Sequence, residues 1–190
     1  MKTLVFFLEE LSAREMLKGL LPRILPVDEE LECVFVVFEG KHDLEREIER
    51  KLRGWMRPNS KFLILRDQDA GDCRKIKANL LKKCENAGKP DTLVRIACRE
   101  LESWFLGDLP SVERNFGLKG VARQQRSKSF RDPDHLGQPS RELARITNNS
   151  YQKVSGSRDL GLILSFDQNC SRSFGAFLDG VKKLVAAFGD

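Results

Sequence analysis

Four short apolar runs, spaced by helix-length charged stretches, restrict what this chain can fold into. They are Leu4 to Leu8, Cys33 to Phe38, Lys61 to Leu65 and Thr92 to Ala97. Each is strand-length, and each is followed by turn-forming or charged residues. Between the first two, Ser12 with Glu15 matches a capping box that opens a helix running to about Ile24, just before Pro26. Between the second and third, Asp43 to Gly54 favours helix, followed by a loop at Pro58-Asn59-Ser60; between the third and fourth, Asp72 to Asn86 reads as helix. Strands that alternate with helices need right-handed crossovers, so the pattern predicts an α/β fold with a mainly parallel four-stranded sheet flanked by helices.

The second half changes character. Arg99 to Leu106 reads as an amphipathic helix, Pro110 to Phe116 as a short one, Lys119 to Arg131 as a loop-like basic run, and Arg141 to Ile146 and Ser173 to Phe188 as further helices. The expected division is an α/β core over residues 1–108 and a mainly helical C-terminal extension over 109–190, packed on that core. With 190 residues, 41% of them hydrophobic, the chain can bury a sizeable core. No internal repeat or low-complexity linker interrupts it.

Carboxylates follow two of the strand patterns. Glu9 and Glu10 come directly after Leu8, and Asp67 and Asp69 follow Leu65. In an open α/β sheet the carboxyl ends of parallel strands border the ligand crevice, so acids far apart in sequence can converge there. Convergent carboxylates hold hard divalent cations such as Mg2+. The competing explanation is helix capping: Asp69 or Asp72 could cap the helix beginning near Asp72, and Glu9 or Glu10 could lie near the helix opened by Ser12.

Charge and cysteine usage bound the partners. The net charge of +5, from 33 basic against 28 acidic residues, is compatible with nucleic acid without requiring it. Lys119, Arg123, Arg126, Lys128 and Arg131 occur with no acid between them and could grip a phosphate backbone; a solvated surface loop explains them equally well. Five cysteines, none at two-residue spacing, read as reduced structural thiols. The first apolar run is only five residues long and ends in two glutamates, unlike a signal peptide or membrane span, so a cytoplasmic location with no membrane association is expected.

Several site motifs fail on inspection. The stretch from Asp67 begins like a calcium loop but has Asp72 where the turn glycine belongs and Ala78 where a bidentate glutamate is needed. Gly40-Lys41 lacks the upstream glycine and the following hydroxyl residue of a phosphate loop. Ser155-Gly156-Ser157 lacks a nucleophile-elbow pattern, and only His42 and His135 could serve a triad.

A glutamate ending the first strand and an Asp-x-Asp ending the third resemble a Toprim domain, the metal-binding module of topoisomerases, primases and overcoming-lysogenization-defect nucleases. In detail, Leu8-Glu9-Glu10-Leu11-Ser12, Leu21-Pro22-Arg23, Phe38-Glu39-Gly40-Lys41-His42-Asp43-Leu44, Arg66-Asp67-Gln68-Asp69 with Asp72-Cys73, Arg99-Glu100-Leu101-Glu102-Ser103-Trp104 and Tyr151-Gln152-Lys153-Val154-Ser155-Gly156 resemble the Toprim-like family catalogued as domain of unknown function 4276. The resemblance implies that Glu9 serves as metal ligand or general acid/base, and Asp67 and Asp69 as paired ligands. Glu10 stands where Toprim motifs usually carry glycine, which leaves Glu9 and Glu10 as competitors for the metal-facing position, with Glu9 favoured. Glu102 is a further candidate ligand; a surface ion pair with Arg99 or another base is the alternative.

The mechanism this implies is Mg2+-dependent (or Mn2+-dependent) phosphodiester hydrolysis without a covalent nucleophile. Lys153, Arg158 and Arg172 could contact phosphate, although nothing in the sequence locates them near the acids. Tyr151 is the only tyrosine, and its setting does not argue for a covalent role. The wider Toprim nuclease group implies an ABC- or SMC-type ATPase partner and antiphage defence. The alternative is a catalytically silent Toprim-like subunit that binds such a partner. Self-association stays open.

Overall fold

The computed structural model describes residues 1–27 and 30–189. Its framework is a sheet of β1 (Lys2–Leu8), β2 (Leu31–Val37), β3 (Ser60–Asp67) and β4 (Leu93–Ala97), in the order β2-β1-β3-β4 with every pairing parallel. Crossovers run through α1 (Leu11–Ile24), α2 (Lys41–Arg53) and α3 (Cys73–Asn86). The expected α/β class and parallel sheet are therefore what the chain forms.

β1 is apolar on both faces because both are covered. Leu4, Phe6 and Leu8 join Leu63 and Leu65 of β3 against α1 and the C-terminal helices; Val5 and Phe7 join Phe62 and Ile64 against α2 and α3. Full burial of a side chain such as Phe6 contributes roughly 1.5–3 kcal/mol.

The larger of these cores continues without a break into α4 (Glu102–Leu106), α5 (Leu109–Phe116), α6 (Pro139–Ile146), α7 (Lys153–Gly161) and α8 (Arg172–Ala186). Residues on both sides of position 108 thus share it. Trp104 is fully buried against Phe174 and Phe177 of α8, and its indole N–H donates to the Ser173 hydroxyl at 2.8 Å. No helix among the described residues is long and apolar enough to cross a membrane, and the cysteines are free thiols.

Three expectations need correction, and one helix was not foreseen. The capping box does not form: α1 starts at Leu11, Ser12 lies inside it and donates to Glu10 at 3.2 Å, and Glu15 is taken by Arg14, Lys18 and Arg158. Arg99 to Leu106 is not one amphipathic helix, since Arg99 sits at φ 64° and the helical part, Glu102–Leu106, is buried throughout. The basic run is not a free loop: it contains a 3-10 turn, Ala122–Arg126, pinned by Gln125, which accepts the Leu109 N–H at 2.6 Å and donates to the carbonyls of Leu106 and Phe130. Helix α7 escapes sequence reading because glycine and serine lower its propensity; its glycines serve contact instead. A Cβ on Gly161 would fall 2.3 Å from the Met16 carbonyl oxygen of α1, and one on Gly156 2.5 Å from the Tyr151 ring.

Candidate functional site

The registers of β1 and β3 place Leu8 opposite Leu65, so the residues following both strands emerge at one edge. Glu9 bridges the two ends. Its N–H donates to the Leu65 carbonyl at 3.3 Å, and its carboxylate accepts the Asp67 N–H at 3.0 Å. Arg66 points to the opposite sheet face from Asp67; its Nε lies 3.8 Å from the Glu9 carboxylate and its terminal nitrogen 3.1 Å from Glu45. Burial pushes Glu9 above the usual carboxylate range, opposed by the Asp67 N–H.

Asp67 closes β3 and sits among like charges. Burial first, then the negative charges of Glu102, Glu9 and Glu10, hold it well above the usual range. Glu102, on α4, is 0% exposed. One of its oxygens accepts from the Tyr151 hydroxyl at 3.0 Å, and the other is buried without a hydrogen-bond partner. Burial raises its pKa too. The surface ion pair with Arg99 is thereby excluded. The neighbouring Glu100 instead accepts the Ser140 N–H at 2.6 Å near the start of α6.

Two lysines meet these acids. Lys153, at the start of α7, pairs with Glu10; burial would lower its pKa, but that hydrogen bond and the charges of Glu102, Glu10 and Asp67 outweigh it and raise it. Lys41, at the start of α2, pairs with Asp69 at 2.7 Å, and this hydrogen bond raises the lysine. Asp69 is held at φ 54°. Its charge still reaches Glu9.

The structure therefore gathers Glu9, Glu10, Asp67, Glu102 and Lys153 into one cluster, with Asp69 at its rim. Among the described residues no three acid, histidine or cysteine side chains stand close enough to hold one ion as they are. The donor chemistry nevertheless fits a hard divalent cation: every acid is a carboxylate, and one buried oxygen lacks a partner. Asp72 is a helix cap, accepting the N–H groups of Arg74 and Lys75 at 2.8 and 3.2 Å.

The basic residues divide. Lys153 joins the acids, which no sequence signal located. Arg158 is committed elsewhere: its Nε donates to buried Glu15 at 2.8 Å, tying α7 to α1, and this hydrogen bond leads the causes that hold Glu15 at about 2. Lys119, Arg123, Arg126 and Lys128 are exposed, and among the described residues no ion pair joins them to the cluster. Arg172 opens α8, 4.0 Å from Asp132. Lys41, Arg99 and Tyr151 went unrecognised as neighbours of the site. All three stand in the stretches that carry the family resemblance, but no local pattern places them against the acids.

No curated protein and no solved structure matches the chain. The model of the family described as Domain of unknown function (DUF4276) matches residues 8–182, and the chain therefore belongs to that family.

Proposed function

We propose that this chain is a Toprim-like, Mg2+-dependent nuclease that hydrolyses nucleic-acid phosphodiesters. The observation that carries the proposal is the buried Glu102 oxygen without a partner beside Asp67, whose ionisation burial and then the surrounding acids oppose. Such a cluster is short of positive charge, and a bound divalent cation would relieve it. The parallel sheet, with both strand ends feeding the cluster, is consistent with a Toprim-like fold.

Glu9, Asp67 and Glu102 would hold Mg2+ or Mn2+, with Asp69 joining by rotation away from Lys41. When bound, the ion would supply Lewis-acid polarisation of the phosphoryl group and activate the attacking water. Glu9 has an alternative role: with the ion on Asp67, Glu102 and Asp69, its carboxylate would take the proton from that water. The Lys153 and Lys41 ammonium groups offset charge on the phosphate. Tyr151 stays protonated, because burial and then Glu102 push its hydroxyl far above the usual range, so it orients Glu102 and does not attack. By the same family resemblance, the protein would act in the cytoplasm with an ABC- or SMC-type ATPase in antiphage defence.

The pairing of Asp69 with Lys41 favours a second reading, in which ammonium groups have replaced the ion and the chain is a silent subunit binding such an ATPase. The test is cleavage of DNA and RNA with Mg2+ or Mn2+, with and without a candidate ATPase. Asp67→Asn and Glu9→Gln should each slow cleavage by about 100-fold or more. Equal cleavage by wild type and both variants would sink the site.

A further inference from the structure

Along the edge strand β4, between α3 and α8 and reaching Gln68 just past the end of β3, lies a cleft of about 580 Å3 that the reading above leaves unused. Its rim carries Arg74, Lys77, Arg95, Arg99 and Arg172, five cationic side chains against one carboxylate, Asp134. That carboxylate is buried and occupied, accepting from the Ser171 hydroxyl and the Ser173 N–H at 2.7 Å each and from the Ser173 hydroxyl at 3.1 Å. Val94, Ile96 and Ala176 give the cleft apolar wall surface.

The cations are not equivalent. Arg95 spends donors on the carbonyls of Ala176 and Val94, at 2.8 and 3.2 Å, and contributes mainly charge. Arg74 and Lys77, on the first turns of α3, are exposed, and no ion pair engages either among the described residues. Arg99 gives one long contact, 3.4 Å, to the Asp69 carbonyl. That contact, and Gln68, which lines the cleft and stands between Asp67 and Asp69 in the chain, set the cleft next to the rim of the acid cluster.

We propose that this cleft binds the sugar-phosphate backbone of a single nucleic-acid strand flanking the bond to be cut. Arg74, Lys77, Arg99 and Arg172 would meet the phosphates, and the apolar wall the sugar or base. Cationic side chains position a strand through its phosphates, and apolar surface accepts bases of any sequence, so the expected recognition is indifferent to sequence. The basic turn at Ala122–Arg126 is then not the principal contact. The role as substrate subsite rests on the nuclease reading; the binding does not.

The test is equilibrium binding of fluorescently labelled single-stranded DNA and RNA oligonucleotides in EDTA, over a range of salt. Arg74→Glu with Lys77→Glu should weaken binding about tenfold or more and reduce the salt slope by roughly 1.4, the loss of about two phosphate contacts. Both side chains are exposed, and acids near a helix N-terminus are tolerated, so the fold should survive, as a thermal melt would verify. Arg123→Glu with Lys128→Glu should change binding little. Unchanged affinity in the folded cleft variant, or a larger loss in the second pair, overturns the proposal. Wild-type binding that the cleft variant loses, with no cleavage by either under any metal, supports the cleft while removing the nuclease reading. Cleavage that Asp67→Asn abolishes, with binding untouched by the cleft variant, does the reverse.

Discussion

Asp69 and Arg99 hold one another in the left-handed region: at φ 54° and 64°, the Asp69 N–H donates to the Arg99 carbonyl at 2.6 Å. Backbone strain of this kind persists where surrounding structure enforces it, and it gathers at functional sites. Here it sets the Asp69 carboxylate against Lys41 at the rim of the acid cluster and leaves Arg99 lining the cleft.

Arg99→Gly should therefore keep or raise stability, because glycine adopts this conformation freely, whereas Arg99→Val should lower it by about 1–2 kcal/mol. Urea unfolding of both variants checks this. Equal stability of the two would show that the conformation carries no strain.

The pair formed by Glu15 and Arg158 predicts an acid limb. The folded-state pKa of Glu15, about 2, lies below the ordinary carboxylate value of 4.5. Its contribution to stability is thus complete above about pH 4.5 and fades as pH falls toward 2. Melting temperatures of wild type and Glu15→Gln should differ most near neutrality and converge at low pH. A gap that stays constant with pH would refute the assignment.

Glu102 relies on Tyr151. Removing the hydroxyl in Tyr151→Phe leaves a second buried carboxylate oxygen unsatisfied, and should cost about 1–3 kcal/mol by urea unfolding. If stability is unchanged, the hydrogen bond at 3.0 Å contributes nothing.

A divalent cation should relieve the crowded acids. Mn2+ should raise the melting temperature of wild type, EDTA should reverse the rise, and Asp67→Asn should show little of it. The rise should be larger at pH 8 than at pH 5, because Asp67 and Glu102 have raised pKa values and ionise only as pH increases. An equal rise in wild type and Asp67→Asn would place the ion elsewhere.

Much of this framework was legible in the chain. The apolar runs marked β1 to β4 because strand-length apolar segments bounded by turn-forming or charged residues leave a clear pattern, even in β2, which is only half-buried, and Asp72 could be read as a cap from its place before α3. The site was legible only in part. Glu9, Asp67 and Glu102 could be listed, but their grouping depends on α4 and α7 folding back over the strand ends, which no local pattern encodes. Helix α7 itself was hidden because Gly156 and Gly161, poor helix formers, are there to let Tyr151 and Met16 approach. Ser12 and Glu15 satisfied a spacing rule, yet Arg158, more than 140 positions away, claimed the glutamate first.

The unbroken core that runs from β1 through Trp104 to α8 also bears on modularity. Glu102 and Lys153 belong to segments whose burial depends on that shared interior, so the acidic centre cannot be carved out as a minimal fragment or transplanted onto another sheet. Folding of the core and assembly of the acid cluster are therefore coupled in this chain. A lesion at the Trp104 and Phe177 contact, on the helix that carries Glu102, should consequently register first as lost ligand response, ahead of any visible loss of secondary structure.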